Sequence, residues 1–415
     1  MWCGIACLLI CGETRAQSTL DNGFNATLNG AVSAIAIQAD GKILVGGTFT
    51  VINGIPKSFL ARLNADGSLD NSFAPAGAPA QFVSRIVVRD GNIHVAAPDG
   101  LRRFDSGGTL AWHFAMSVLA FDVDSQQRVV FGGQFSRIGN EFHRNVARLT
   151  VNGTLDSTFV PVIGCCPGEG VNAILVQGDA AFVGGLFQSA NGSVAAHFAK
   201  IGSNGSTDTG FVGTSDPPVF SLAATSDGKI LRASQQILAR HLSDGSIDPA
   251  FASVSAGGSS DDRFVTVVSQ TDGKPIVGGD FSFDGGATRK HVARFNSNGT
   301  LDSSFSIEAN GSVRAIAVEA NGAVLIGGSF TTINGIARTG LARIVTQQPV
   351  LKIAAAGAGN VVLSWPAGAN AVLETCALND ATWSPVGSAS VNINGTRYVT
   401  NSASGGGRLY RLRGQ

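Results

Sequence analysis

Hydrophobic and polar positions alternate along most of this chain in short runs, each stopped by a turn rich in glycine. Val32-Ser33-Ala34-Ile35-Ala36-Ile37 alternates as a half-buried strand does. Asp40-Gly41 marks a tight turn, and Lys42-Ile43-Leu44-Val45-Gly46-Gly47 reads as a second strand ending before Phe49. Asn53-Gly54 signals another turn, Phe59-Leu60-Ala61-Arg62-Leu63 a third strand, and Asp66-Gly67 a further turn. Ser68-Leu69-Asp70 with Phe73 completes the unit as a short fourth strand. Four strands joined by three hairpins predict one antiparallel sheet, the unit of a propeller blade.

The same grammar recurs. Gly132 and Gly133 precede Phe135, Gly184 and Gly185 precede Phe187, Gly278 and Gly279 precede Phe281, and Gly327 and Gly328 precede Phe330. The closing phrase has clean copies at Leu20-Asp21 with Phe24, Leu69-Asp70 with Phe73, Leu155-Asp156 with Phe159, and Leu301-Asp302 with Phe305. Worn copies are Ile247-Asp248 with Phe251, Thr207-Asp208 with Phe211, and Leu110 with Phe114. These phenylalanines recur every 40 to 54 residues, a period that belongs to propellers and related repeats. Two copies are abbreviated. Ala96-Ala97-Pro98 and Leu231-Arg232-Ala233 stand where the glycine pair should be, so clipped middle hairpins are predicted there.

The ends favour a closed ring. Leu20-Asp21 with Phe24 is a fourth-strand phrase without three strands before it, and Ala342-Arg343-Ile344 is a third strand with no fourth after it. The predicted fold is all-β: a seven-bladed β-propeller over residues 17–345, closed by the N-terminal strand so that no sheet edge is left. An open solenoid would need capping ends instead. The phrases LDxxF, xVxAIAxQxDGKILVGGxF, NG and LARLNxDG resemble the delta-60 repeat, a bacterial propeller-type repeat common in large secreted or surface proteins. That resemblance implies a propeller with no assigned activity and no catalytic residues to carry over.

After Pro349 the grammar changes. Val361 to Pro366, Ala371 to Glu374, Trp383 to Val386, Thr396 to Val399 and Leu409 to Leu412 read as strands of a small β-sandwich-like module over 346–415. It resembles the short fibronectin-like modules at the ends of many bacterial surface proteins.

Composition narrows the function classes. Of 415 residues, 54 are glycine and only 14% are charged, which suits short strands and tight turns. The 29 basic and 29 acidic residues cancel, so the chain has no electrostatic footprint for nucleic acid or an anionic membrane. Residues 1–16 read as a signal-peptide-like leader. Its apolar run is too short to span a membrane, and Thr14-Arg15-Ala16 resembles a cleavage site before Gln17. Cys3, Cys7 and Cys11 fall in that leader. Vicinal Cys165-Cys166 sits in a Pro/Gly loop without a CxxC or a nearby histidine, which favours a loop pair over a metal or redox site.

Most candidate acids occupy repeat slots. Asp40, Asp66, Asp90, Asp227, Asp244 and Asp272 take the turn position, which Asn152, Asn298 and Asn321 take elsewhere. Asp21, Asp70, Asp156, Asp208, Asp248 and Asp302 take the position after leucine or its substitute. Acids repeated on every blade and exchanged for asparagine serve turns, not catalysis. Asp261-Asp262 and Asp280 with Asp284 fall outside the scheme and are the remaining metal candidates. His197 and His291 share a repeat position in non-neighbouring blades, so no shared metal is expected; His94, His113, His143 and His241 are dispersed. The Gly-Gly-x-Phe phrase lacks the following helix and the GK[ST] of a phosphate loop. Glycine there would permit a bulge or close blade packing, and phenylalanine would plug the space between blades. The N-x-[ST] triplets at Asn25, Asn152, Asn191, Asn204, Asn298, Asn310 and Asn394 fall on predicted turns.

The expected function is therefore an exported, non-enzymatic propeller scaffold or binding module of the cell envelope or extracellular space. Its partner would be an envelope protein or glycan, with no cofactor and no nucleic acid. It would bind at a ring mouth or at the loops Ser215 to Pro218 and Gly257 to Arg263. The alternatives are a metal- or carboxylate-dependent hydrolase acting at the ring axis, for which one-off acids or histidines should converge there, and a piece of a longer adhesin.

Overall fold

The structure, a computed structural model, describes residues 17–213, 217–256, 262–283, 289–347, 351–357, 360–366, 371–377, 382–387, 390–393, 396–402 and 408–414. The predicted leader, Ser215-Asp216, the stretch 257–261 and Asp284 lie outside them. Every regular element among the described residues is a strand. The chain divides into two compact units, the larger formed by Leu20–Ser303 with Ile307–Ile344, the smaller containing Val345–Gln415.

In the larger unit, seven antiparallel sheets of three or four strands follow one another among the described residues. Their first strands are Val32–Ile37, Arg85–Arg89, Ala120–Val123, Gly170–Gln177, Val219–Ala224, Arg263–Ser269 and Val313–Val318. Each lies beside the next, and the seventh returns beside the first. The last sheet is completed by the strand that ends at Leu20, and the Asp21 amide donates to the Arg343 carbonyl at 2.8 Å.

The glycine pairs explain how closely these strands approach. A Cβ on the first glycine of each pair would strike the side chain that opens the next sheet. It would sit 2.6 Å from Val171 Cγ1 at Gly132, 2.5 Å from Val219 at Gly184, and 2.7 Å from Val313 at Gly278 and from Val32 at Gly327; Gly46 meets Val83 in the same way. The second glycine faces a β-bulge in the first strand of its own sheet. A Cβ on Gly47, Gly185, Gly279 or Gly328 would run into the carbonyl of Ala31, Gly170, Arg263 or Ser312. The register slips there, between Val32 and Ala34 and at the equivalent places. The pair thus serves close packing through its first glycine and a bulge through its second. The third sheet is the exception: its register is regular and Gly133 has room, 3.5 Å to the Phe135 ring.

The fourth strand is weaker than the pattern predicts. In the first, third, fourth and sixth sheets it shrinks to single bridges, Leu63 to Leu69, Leu149 to Leu155, Ile201 to Thr207 and Phe295 to Leu301. An aspartate-led turn follows at once and bends the chain away before a ladder can form. The two abbreviated copies instead keep four strands, Arg85–Arg89 through Leu110–Phe114 and Val219–Ala224 through Val254–Ser255. As predicted, their middle hairpins are clipped, with Ala97 pairing Gly100 directly. Elsewhere the inserted hairpin turns on Asn53-Gly54, Asn191-Gly192 or Asn334-Gly335, with both residues left-handed as a two-residue hairpin requires.

The smaller unit holds two antiparallel sheets. One orders Lys352–Gly357, Asn360–Pro366, Thr396–Ser402 and Val391–Ile393; the other orders Ser384–Pro385, Ala371–Ala377 and Arg408–Gly414. Leu363, Trp365 and Val399 from the first share one core with Leu373 and Tyr410 from the second.

The closest approach across the ring closure is testable. Gly327→Ala is expected to destabilise the protein by about 1–3 kcal/mol through overpacking against Val32. Combined with Val32→Ala, the loss in denaturant unfolding should be smaller than the sum of the single losses, because the clash and the space are shared.

Candidate functional site

The acids repeated after leucine are structural, and their partner is a third-strand cation. Asp70 accepts from Arg62 Nε at 2.8 Å, Asp156 from Arg148 at 2.8 Å, Asp248 from Arg240 at 2.7 Å, Asp302 from Arg294 at 3.0 Å and Asp21 from Arg343 at 2.8 Å. Lys200 serves Asp208 at 2.8 Å. The other carboxylate oxygen accepts the amide two residues on, as Asp70 does from Ser72. Burial opposes ionisation at Asp70, but hydrogen bonds from Ser72, Lys42 and Arg62 outweigh it and hold the carboxyl below its ordinary range.

Each of Arg62, Arg148, Arg240 and Arg343 also stacks on the phenylalanine of its phrase. Its guanidinium carbon lies 4.5 Å from the Phe73 ring centre for Arg62, 4.3 Å from Phe159 for Arg148 and 4.7 Å from Phe24 for Arg343. Phe24, Phe73, Phe159 and Phe305 are buried, as are Phe49, Phe187, Phe281 and Phe330 of the glycine phrase, while Phe135 is half-buried. A second nitrogen then reaches the next sheet. Arg148 Nη1 donates to the Ser203 carbonyl and Arg240 Nη1 to Ser297, each at 2.7 Å, with Arg62 to Ser106 and Arg343 to Ala65 equivalent. The cations were missed in the sequence reading. Their signal was a constant separation of eight residues from the aspartate in five copies.

In the second sheet Trp112, not Phe114, takes the aromatic slot. It lies under the next turn, 2.6 Å from where a Cβ on Gly153 would stand, and its indole and Arg103 both donate to the Val151 carbonyl. In the fourth sheet Lys200 lacks the second reach. An open groove of about 710 Å³ lies there, lined by Lys200, Asp208 and the turn residue Ser243.

The other candidates are accounted for locally. Turn acids and asparagines accept the amide two residues on, as Asp66 does from Ser68 and Asn298 from Thr300. Asp280 faces Arg263 at 3.4 Å; its proposed companion Asp284, and Asp261, lie outside the described residues. His197 and His291 occupy the left-handed position two residues before the third-strand alanine, which Phe59, Asn145 and Gly340 occupy elsewhere. His241 accepts from Arg232 at 2.9 Å. Cys165, Cys166 and Glu169 bring three donor atoms within 4.8 Å of one another. Glu169 was not foreseen. Its carboxylate accepts the Cys165, Cys166 and Gln188 amides at 2.5, 2.8 and 3.0 Å and so holds the loop.

What the repeat does not use gathers at the ring axis. The bulge residues Ser33, Asn172, Phe220, Val265 and Arg314 line a cavity of about 570 Å³ together with Ser84 and Leu119. Bulges re-aim side chains in this way. One position deeper, the repeat carries Ala34, Ala173, Ser221, Thr266 and Ala315, but the second sheet carries Arg85. Its guanidinium sits 5.9 Å from the Phe121 ring, and its Nε is buried with no hydrogen-bond partner. Burial pulls Arg85 below its ordinary pKa, with Asp122 opposing. Burial pushes the Asp122 carboxyl up, against hydrogen bonds from the Val176 and Val123 amides at 2.7 and 2.9 Å and the charge of Arg85. The signal for these residues was a lone charge in a column of small or apolar ones.

A ring of small antiparallel sheets, first strands innermost around an axial cavity, defines a β-propeller repeat protein. Comparison with known proteins agrees. A family described as a domain of unknown function (DUF5122) beta-propeller matches residues 38–73, 128–159, 182–211, 270–305 and 319–345. A streptogramin B lyase structure is similar in fold at 10% identity and TM-score 0.52, over 80% of this chain and 98% of that one. A catalytically inactive virginiamycin B lyase from Staphylococcus aureus with quinupristin gives 11% and 0.52, over 81% and 100%. The extracellular domain of a one component system from B. thetaiotaomicron gives 10% and 0.50, over 94% of this chain and 54% of that one. No curated protein matches the chain. No helix among the described residues is long and apolar enough to cross a membrane.

Two expectations follow. Lys200→Arg should stabilise the protein by about 0.5–1.5 kcal/mol in denaturant unfolding, by adding the bond to the next turn that Arg62, Arg148, Arg240 and Arg343 make. His94 is fully buried, and desolvation first, then the Arg103 charge, lowers its pKa from 6.5 to about 4. The unfolded chain then binds a proton that the folded ring refuses. Stability should fall as pH drops from 6.5 toward about 4, by roughly 3 kcal/mol at the lower end, and His94→Leu should remove that part of the slope.

Proposed function

We propose that this chain is an exported, non-enzymatic β-propeller of the cell envelope or extracellular space that acts as a binding module. In this reading the seven sheets are seven blades of delta-60 type, closed by the N-terminal strand, and the smaller unit is a fibronectin-like β-sandwich. The observation that carries it is a division of labour. The repeated acids, cations and aromatics are engaged in turns, ion pairs and stacking, whereas the axial cavity collects the residues that differ from blade to blade. Export rests on the leader-like residues 1–16.

A hydrolase at the axis is less well supported. Among the described residues that line the axial cavity there is no acid, and Asp122, whose charge acts on Arg85, has both carboxylate oxygens accepting main-chain amides. The test is capture of fractionated envelope proteins and glycans by the immobilised full chain, with and without a chelator. Saturable capture that survives chelation and leaves the captured material unchanged is expected. Chelator-sensitive turnover of a fraction would replace the binding module with an enzyme, and absence of capture would reduce it to a spacer.

A further inference from the structure

We propose that the axial cavity binds a small organic anion with an apolar body, its charged group taken by Arg85 and its approach drawn by Arg314. The proposal rests on reading the ring as a binding module and names the ligand class of that site.

Arg85 stands where the other sheets place small side chains, so its presence is not a packing requirement of the repeat. A guanidinium offers five donors, and the Nε of this one is buried without an acceptor. A buried unpaired donor is unfavourable, and an incoming acceptor would relieve it. The acid whose charge acts on Arg85, Asp122, already accepts two main-chain amides, and its side chain is not hydrogen-bonded to Arg85 among the described contacts. Arg314 adds a second cation, exposed at the bulge ring of the same cavity. Two guanidiniums against one engaged carboxylate leave the cavity positive.

The rest of the mouth is apolar. Phe82 and Leu119 are 43% and 52% exposed there, beside half-buried Phe220. About 570 Å³ is the size of a small-molecule site. Arginine pairs with carboxylate or phosphate through parallel hydrogen bonds, so both anion types share the chemistry.

The experiment is calorimetric titration of the full chain with four probes. Benzoate and phenyl phosphate carry anion and ring, acetate the anion alone, and benzyl alcohol the ring alone. One of the two aromatic anions is expected to bind at least about tenfold more tightly than acetate or benzyl alcohol, and to weaken with added salt. Which of the two it is separates a carboxylate from a phosphate ligand. Arg85→Gln should lower that affinity at least about tenfold and leave benzyl alcohol unchanged. Arg314→Gln, at an exposed position that folding does not need, should lower it a few-fold at low salt and keeps the test open if Arg85→Gln misfolds. Equal binding of benzoate and benzyl alcohol, no binding of either aromatic anion, or indifference to Arg314→Gln and salt overturns the proposal. Envelope capture that persists through any of those results would leave the binding module standing and refute only its anionic ligand.

Discussion

The ring depends on an arginine that answers to two sheets at once. Its Nε holds the aspartate that bends the chain out of its own sheet, its plane covers the phenylalanine that follows, and its Nη1 takes a carbonyl from the next turn. Removing two charges from water is unfavourable unless geometry is good and every donor is used. Here the carboxylate also accepts a main-chain amide, so few donors and acceptors go unmet. In six sheets the third-strand cation thus enters the repeat with an acid to match. The lysine at 200 shows what the second reach contributes, since it keeps the ion pair but opens onto a groove.

Nearer the axis, glycine takes over from charge. One glycine of each pair lets the next sheet's opening side chain settle against bare backbone, and in every pair but that of the third sheet the other accommodates a bulge. That bulge turns a side chain toward the axis with no demand on its identity. Serine, asparagine, phenylalanine, valine and arginine all stand in this slot. A rigid repeat thus presents a ring of freely variable positions, which is how one fold can serve unrelated ligands.

Strands, tight turns, clipped hairpins and the pairing of the Leu20 segment with the last sheet were legible because each rests on local pattern: alternation of Val32 to Ile37, glycine after asparagine or aspartate, a closing phrase at Leu20-Asp21 and an unfinished sheet at Ala342 to Ile344. The assignment of the repeated acids to structure was legible too, from their exchange with asparagine. What was hidden depends on partners distant in sequence. Arg62 and Asp70 looked like two separate phrases until their fixed spacing had a geometric reason. The fourth strand looked longer than it is because Leu69 and Phe73 are buried or half-buried whether or not a ladder forms. Arg85 could be seen as exceptional only once the bulges had set which residues share a column. Glu169 belongs to the same class, since its role appears only when the loop around Cys165 closes on it.

The closing contact joins Asp21 to Arg343, 322 positions apart. The entropy lost in bringing such ends together grows only slowly with length, so the finished ring is not weakened by the distance. The difficulty is one of timing. As the chain folds, each of the other six sheets of the ring can complete itself from one continuous stretch, yet the segment at Leu20 and Asp21 must wait for the sheet that holds Arg343. Throughout that interval it is an unpaired strand end, open to neighbours of the same kind on other copies. The hazard facing this molecule therefore falls while the ring is still open, and it ends when Arg343 meets Asp21.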